Sequence, residues 1–565
     1  MVVVGAGASG AAVAWRLAGA GVDVLTLERG HWHDPAAAAS AREDWEWVLQ
    51  TARHPDPEVR RAPEDMPVTA DSPIRPAFFC GVGGSTLRWG AHFPRFHPSD
   101  FRTRTLDGVG RDWPVSYEDL APWYDLNDRL MGVCGLAGDP ANPARPPRAH
   151  GPLPLTAGMV RLAEAFDRLG WHWWPSDGAV NRDADPATGR EGCNNCGPCG
   201  LGCPRRARAS TDVTYWPEAL ARGADLVTGA TVARIVCDRD GRAVGVDWID
   251  EDGAPHHTAA DLVILAANGV GTPRLMLASA CAAHPAGIGN ARDGVGRHLM
   301  HHPTAIVAGL FDAPTGLPKG PFACSLYSQE FYETDPARGA VRGYQMQGLR
   351  PQGPLATAMG GYARRLPWGR DHHAAFERTF GHDVSLTVTV EDLPAPDNRV
   401  TLDASRRDAA GVPAARLTYR LGENERRLID HGIARASEAL REAGAREIVV
   451  TPLSRAAGFH FLGTAAMGAD EDAVTDPAGR VRGCPGLVVA DGSLFPSAGG
   501  VNPTPTLQAN ALRIADAILA RAAPRPGRAC PRDRPMSGRG SASSSATPSG
   551  AAAGPRQPPA SGATA

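Results

Sequence analysis

The segment MVVVGAGASGAAVAWRLAGAGVDVLTLERG (1–30) decides the fold of the first part of this chain. It predicts a short apolar strand, a glycine turn, an alanine-rich helix and a second apolar strand at 22–27, which together form a β-α-β unit. Gly5, Gly7 and Gly10 fit the pattern G-x-G-x-x-G directly after the first strand. Glycines at these positions permit a tight turn, the close approach of a pyrophosphate and close packing of the helix.

Glu28 closes the second predicted strand. A carboxylate roughly 20 residues after the glycines can accept hydrogen bonds from a ribose, whereas it repels a 2′-phosphate. The segment therefore predicts a dinucleotide site that disfavours NADP. It does not by itself separate NAD from FAD.

The composition limits the possible partners. The chain has 565 residues, of which 43% are hydrophobic, so we expect more than one domain. Its 58 basic and 61 acidic residues give a net charge of -3. This balance offers no broad electrostatic attraction for nucleic acid or anionic lipid, so a small-molecule partner is predicted.

No signal-peptide pattern opens the chain, and no apolar run reaches the roughly 18 residues needed to span a bilayer. A cytoplasmic protein without a membrane span is the resulting expectation. Met1 falls inside the first predicted strand, which leaves open a start further upstream together with a targeting segment.

The later sequence predicts two kinds of sheet. Strand-like runs at 230–237, 243–249 and 262–267 are expected to return to the nucleotide domain. Alternating strands such as 384–390 and 416–419 predict an antiparallel sheet. A charged helix is predicted to follow at about 423–443, and a tail rich in Pro, Gly, Ser and Ala is predicted to be disordered. The predicted division begins with a mainly nucleotide-binding part at 1–298, which contains a cysteine-rich insertion at about 190–210. A mainly substrate-binding part follows at 299–452, then a return to the first domain at 453–522, and finally the tail at 523–565.

Further motifs reveal a family resemblance. They occur in the segments GVGGSTLRWG (81–90), VILAANGVGTPRLML (263–277), EDLPAPDNRVTL (391–402), HFLGTAAMG (460–468) and VVADGSLFPSAGGVNPTPTLQ (488–508). In this order, over residues 1 to about 520, the chain resembles the glucose-methanol-choline (GMC) flavoprotein oxidoreductases. The resemblance implies FAD as cofactor and a mixed α/β and α+β fold, in which a Rossmann-like FAD-binding domain adjoins a substrate domain built on a large antiparallel sheet and helices.

The resemblance also assigns residues to FAD. Val232 matches a position whose backbone contacts adenine, although it could equally be a buried strand residue. Asp491 matches a turn near the flavin phosphate and ribityl chain, and a helix or turn cap is the alternative. Together with Gly5, Gly7, Gly10 and Glu28, the implied FAD residues are Gly83, Gly84, Ser85, Thr86, Val232, Asp491, Gly492 and Thr504.

Arg88 bears on how the cofactor is attached. Some relatives carry a histidine in this segment that bonds covalently to the flavin, and Arg88 occupies that place here. A guanidinium stays protonated and is a poor nucleophile, so we expect non-covalent FAD.

Oxidation of an alcohol requires a base, a hydride acceptor and a group that orients the oxygen. The resemblance assigns the base to His460 and the orienting role to Asn502, with hydride passing to the flavin. A core histidine and a turn residue are the plainer alternatives. We interpret His301 and His302 as structural or substrate-domain residues.

Four cysteines form a separate motif. Cys193, Cys196, Cys199 and Cys203 have the spacing C-x2-C-x2-C-x3-C and precede Pro204, as in bacterial ferredoxins. A second run, which two-cluster ferredoxins need, is missing from the sequence. An iron–sulfur cluster, a zinc site and a structural loop of reduced thiols all remain open.

The predicted function is FAD-dependent oxidation of a CH–OH group in a sugar, polyol, choline-like compound or other alcohol. The sequence leaves open whether oxygen, a quinone or a redox protein accepts the electrons. An oxidase that uses oxygen directly is one alternative. A non-catalytic redox sensor that uses flavin and cysteines is an alternative of a different class.

Overall fold

A computed structural model gives the fold of residues 1–321, 325–361 and 366–522. The predicted disordered tail at 523–565 lies outside the described residues. The strands are β1 Val2–Val4, β2 Leu25–Leu27, β3 Val68–Asp71, β4 Trp174–Pro175, β5 Asp225–Val227, β6 Thr231–Cys237, β7 Ala243–Ile249, β8 Pro255–Ala259, β9 Val263–Leu265, β10 Thr304–Leu310, β11 Leu326–Ser328, β12 Tyr344–Leu349, β13 Asp383–Val390, β14 Arg399–Arg407, β15 Pro413–Thr418, β16 Glu447–Thr451 and β17 Leu487–Val489.

Helices of very different lengths connect these strands. The helices are α1 Ala8–Ala18, α2 Trp45–Gln50, α3 Pro57–Arg60, α4 Thr103–Asp107, α5 Tyr117–Met131, α6 Ala157–Leu169, α7 Tyr215–Ala221, α8 Asn268–Ala278, α9 Pro354–Met359, α10 His372–Glu377, α11 Glu423–Glu442 and α12 Thr504–Ala522.

A five-stranded parallel sheet has the order β17-β9-β1-β2-β5. It confirms the predicted Rossmann-like architecture, with α1 starting directly after the glycine turn. The second strand is shorter than the predicted 22–27. Only Leu25–Leu27 pair with the three residues of β1, while the backbone N–H of Val22 closes a turn by donating to Leu17 O at 3.2 Å.

A six-stranded antiparallel sheet, in the order β16-β10-β13-β12-β11-β4, confirms the predicted large antiparallel sheet. Side chains alternate between its two faces, as the period of a strand requires. Leu386 and Val388 of β13 are buried in one core with Leu428 and Leu440 of α11. The opposite face of the sheet is therefore available to form the wall of a site.

The strand predicted at 416–419 lies elsewhere than expected. It is part of β15, which pairs antiparallel with β14 and parallel with β3 in a separate three-stranded sheet. Leu417 packs there in a small core with Val68, Val270 of α8 and Val400. This burial against α8 places the strand outside the large sheet. Strands β6, β7 and β8 form another three-stranded antiparallel sheet.

Candidate active site

A cavity of about 710 Å³ lies at the carboxyl ends of the parallel strands. Gly5 follows β1, Glu28 follows β2 and Ala266 follows β9, and all three line it. This edge of a parallel sheet is where open α/β folds bind their ligands. The volume lies within the range of about 300 to 1,000 Å³ typical of cofactor and small-molecule sites.

Two glycine turns meet in this cavity. Gly5 has a φ of +101°, and a Cβ there would lie 2.6 Å from the carbonyl oxygen of Ala266. A Cβ on Gly84 would lie 2.9 Å from Cα of Gly7. Because neither contact leaves room for a side chain, the two turns expose bare backbone to the cavity.

Glu28 joins these turns. Its carboxylate accepts hydrogen bonds from the backbone N–H groups of Ala6, Gly30 and Gly81 at 2.8, 2.9 and 3.0 Å. Burial raises the pKa of this carboxyl group, although the three N–H donors oppose the shift. The side chain therefore fixes the turns while lining the cavity.

Most of the other predicted FAD residues share this cavity. Gly10 and Gly83 are not among the lining residues. A Cβ on Gly10 would lie 1.9 Å from Gly5 O, so Gly10 allows α1 to pack against the turn.

Asp491 lines the cavity and also caps a turn, which was the alternative role considered for it. It accepts hydrogen bonds from Ser493 N at 3.0 Å and from Thr272 Oγ1 at 2.6 Å. The lining residues among those predicted are Gly5, Gly7, Glu28, Gly84, Ser85, Thr86, Val232, Asp491, Gly492 and Thr504.

His460 and His302 form a pair at the cavity wall. Their Nδ1 atoms are 3.0 Å apart, and Nε2 of His302 lies 2.8 Å from the carbonyl oxygen of Gly499. A carbonyl only accepts, so Nε2 of His302 carries a proton, and Nδ1 of the neutral ring accepts from Nδ1–H of His460. Nε2 of His460 is then left unprotonated, as a base requires.

Burial keeps both rings neutral. It lowers the pKa of His302 to about 4, and it lowers the pKa of His460 well below its usual value, with His302 and His301 adding to the effect. His301 also supports the pair, because its Nδ1 donates to the backbone oxygen of His460 at 2.8 Å. The sequence interpretation missed these contacts of His301 and His302, and the adjacent pair in LMHHPTA was its only signal.

Asn502 lines the same cavity, just before the start of α12. Its Oδ1 atom is buried and has no hydrogen-bond partner among the described residues. A buried amide oxygen without a hydrogen-bond partner costs folding free energy. This atom therefore fits a site that is completed by a ligand with a hydrogen-bond donor.

Comparisons with known proteins identify the family. Models described as GMC oxidoreductase match residues 162–304 and 394–511, and a model of the NAD(P)-binding Rossmann-like domain matches residues 3–54. The 2-methyl-1,2-propanediol dehydrogenase of Mycolicibacterium austroafricanum is 41% identical over 537 residues, covering 92% of this chain and 95% of that protein. The chain belongs to the GMC oxidoreductase family.

Other comparisons agree with this assignment. The fructose dehydrogenase large subunit of Gluconobacter japonicus is 30% identical over 550 residues, covering 92% of this chain and 97% of that protein. The crystal structure of pyridoxine 4-oxidase from Mesorbium loti shares the fold with a TM-score of 0.62 at 17% identity, covering 92% of this chain and 99% of that one. The predictions of an FAD oxidoreductase and of an enzyme acting on CH–OH groups are confirmed.

Arg88 of this GMC oxidoreductase ends the 3-10 helix Gly84–Arg88 and lines the cavity. Its guanidinium lies over the Phe79 ring at 4.9 Å. Burial, reinforced by Arg53 and Arg208, lowers its pKa to about 9. The charged groups that act on its pKa are all arginines, so among the described residues this cation lacks a carboxylate partner and suits an anionic group of a ligand.

The cysteine-rich loop of the GMC oxidoreductase borders the cavity through Pro198, Gly200 and Leu201. Cys203 Sγ accepts from Arg208 N at 3.5 Å, and Cys193 Sγ donates to Asn195 at 3.7 Å. Within the part of the chain that the structure describes, no three sulfurs of the run Cys193, Cys196, Cys199 and Cys203 converge within 4.8 Å. The comparisons give no support to an iron–sulfur cluster.

The six-stranded sheet supplies the remaining wall. Its cavity face carries neutral side chains, which are Thr304, Ile306, Gln347, Leu349, Thr387 and Thr389.

Elsewhere in the GMC oxidoreductase, none of the described helices is both long enough and apolar enough for a bilayer crossing.

Proposed function

We propose that this GMC oxidoreductase holds FAD non-covalently in the cavity and oxidises a small neutral alcohol that carries further hydroxyl groups, such as a diol, polyol or sugar. The observation that carries the proposal is the His302–His460 pair, which leaves Nε2 of His460 unprotonated in the cavity that contains the two glycine turns.

The chain supplies suitable contacts for the pyrophosphate, a ribose and the adenine of FAD. The bare turns at Gly5 and Gly84 allow a pyrophosphate to approach, and Glu28 has lone pairs left for a ribose hydroxyl. The backbone of Val232 suits adenine. These residues would hold FAD, which would supply the hydride acceptor that oxidation of an alcohol requires.

His460 and Asn502 act on the substrate itself. Nε2 of His460 removes the hydroxyl proton, while Nδ1–H stays hydrogen-bonded to His302, so the ring keeps its orientation when it becomes charged. The Nδ2–H group of Asn502 donates to the substrate oxygen, and its unpartnered Oδ1 is left to accept a hydrogen bond from a second hydroxyl group of the substrate.

The carboxylates of the cavity offer no free counter-charge to a cationic substrate. Among the described lining residues the carboxylates are Glu28 and Asp491, and both are engaged by protein donors. A quaternary ammonium compound such as choline therefore lacks an obvious counter-charge, whereas amide and hydroxyl groups suit a polyol. The relative at 41% identity is named for a diol, 2-methyl-1,2-propanediol.

An anaerobic absorption titration tests the proposal. We expect 2-methyl-1,2-propanediol or fructose to bleach the visible band of the oxidised flavin, and choline to leave it unchanged. Bleaching by choline alone would overturn the substrate class, and a flavin that none of a broad panel of alcohols reduces would overturn the reaction. Readmitting oxygen and then a quinone identifies the electron acceptor in the same sample.

Precipitation with acid tests the mode of attachment. Because Arg88 stands where covalent relatives place a histidine, we expect all of the yellow colour to remain in the supernatant. Colour that stays with the washed protein pellet contradicts non-covalent binding.

A further inference from the structure

A second group of potential ligands lies apart from the residues that line the cavity. Cys237, His284 and Cys484 each contribute one ligand atom, and these three atoms lie within 4.8 Å of one another. Cys237 ends β6, His284 follows α8 and Cys484 precedes β17. Folding therefore joins three segments that are distant in sequence.

Cys281 is a potential fourth ligand beside this group. Its backbone N–H donates to His284 O at 3.2 Å and its carbonyl accepts from His284 N at 3.0 Å, so the two residues form one tight C-x2-H turn. The thiol of Cys237 interacts with those of both Cys281 and Cys484. Three thiols and an imidazole thus share one location.

The orientation of His284 suits metal binding. Its Nε2 atom lies 2.9 Å from the carbonyl oxygen of Gly241, so Nε2 is the protonated nitrogen of the neutral ring. The lone pair of Nδ1 is then free to bind a cation. Metal-binding histidines commonly donate their second ring N–H to a carbonyl in this manner.

The surroundings also favour a cation. Cys484 is buried, and Cys237 and Cys281 are half-buried. Thiolates are strong soft ligands for a divalent ion such as Zn²⁺, which displaces the thiol protons when it binds.

We propose that Cys237, Cys281, His284 and Cys484 bind one Zn²⁺ ion in a tetrahedral structural site. Bond lengths of about 2.0 to 2.3 Å place tetrahedral ligand atoms about 3.5 Å apart, so the atoms of Cys237, His284 and Cys484 need to move closer by only about 1 Å, and the Cys281 thiol closes the site from beside them. All four positions are filled by the protein, which is typical of structural zinc and leaves no position for a substrate. The ion ties the β6-β7-β8 sheet to the turn after α8 and to the segment that precedes β17.

Metal analysis of the purified holoenzyme tests this site. We expect one zinc per chain, and we expect Cys484→Ser to lose it together with part of the thermal stability. Cys196→Ser is the matched control, because it changes an exposed cysteine of the other run and leaves the zinc content unchanged. The iron content, measured in the same samples, reports on that other run independently.

Cobalt gives a second measurement should Cys484→Ser fail to fold. Protein prepared with Co²⁺ instead of zinc should show tetrahedral d–d bands at longer wavelengths than flavin absorbs. The variant His284→Cys should retain the metal with altered bands, since four thiolates also bind it. Wild-type protein grown with zinc but containing none, or a Cys237–Cys484 disulfide found by mass spectrometry, would overturn the proposal.

Discussion

His460→Ala should slow substrate-dependent flavin reduction by about 100-fold to 10,000-fold, the usual contribution of a general base. The variant removes the nitrogen that is proposed to take the hydroxyl proton, yet it leaves both glycine turns and Glu28 in place. It should therefore purify with a normal content of FAD. Anaerobic stopped-flow absorption measures the reduction rate directly.

His256→Ala is a suitable control for this variant. His256 is an exposed histidine on β8 that contacts Asp250, and it does not line the cavity. Reduction at the wild-type rate in His460→Ala would refute the assignment.

The pH dependence of wild type gives a separate test. Here kcat/KM should hold steady as the pH falls through about 6.5, the usual pKa of histidine, and decline only below it, because the lowered pKa keeps His460 neutral.

Gly84→Ala should weaken FAD binding by about fivefold to 150-fold, corresponding to about 1 to 3 kcal/mol. The new Cβ would lie 2.9 Å from Cα of Gly7, so one of the two turns must move. Since the proposed FAD site uses both turns in their present positions, this movement opposes the binding of FAD. Titration of the apoprotein with FAD, followed by flavin fluorescence, gives the dissociation constant.

Gly108→Ala separates crowding from backbone strain. Gly108 has a φ of +73°, comparable to the +52° of Gly84, so alanine is strained by about 1 kcal/mol or more at either position. No atom lies within 4 Å of a Cβ placed on Gly108. We therefore expect Gly108→Ala to lose stability but to bind FAD normally. Equal FAD affinities in the two variants would mean that the contact with Gly7 has no part in binding.

Local sequence patterns predicted the nucleotide-binding unit because its determinants are neighbours in the chain. The glycine spacing, the order of strand, helix and strand, and the position of Glu28 all lie within the first 30 residues. The pairing of β15 with β3 could not be predicted in this way, since it depends on apolar burial against α8, more than a hundred residues earlier in the chain.

The candidate active site, like the fold, could be predicted only where its determinants are local in sequence. The motif around His460 identified the expected base, but its partner His302 lies 158 positions away, and only folding sets the distance between their rings. The sequence does not predict the Cys237 group for the same reason. Its members come from three segments, whereas the Cys193–Cys203 run forms a recognisable motif because its spacing is local.

The two faces of the six-stranded sheet have a consequence for how this enzyme can diversify. On β13, Thr387 and Thr389 border the cavity, whereas Leu386 and Val388, which alternate with them, point to the other face and pack against α11. Substitutions at the first pair change the shape and polarity that an alcohol meets, and they leave the packing of the helix untouched. Substitutions on the cavity face can thus change which substrates the enzyme accepts, while the residues on the opposite face keep the fold stable.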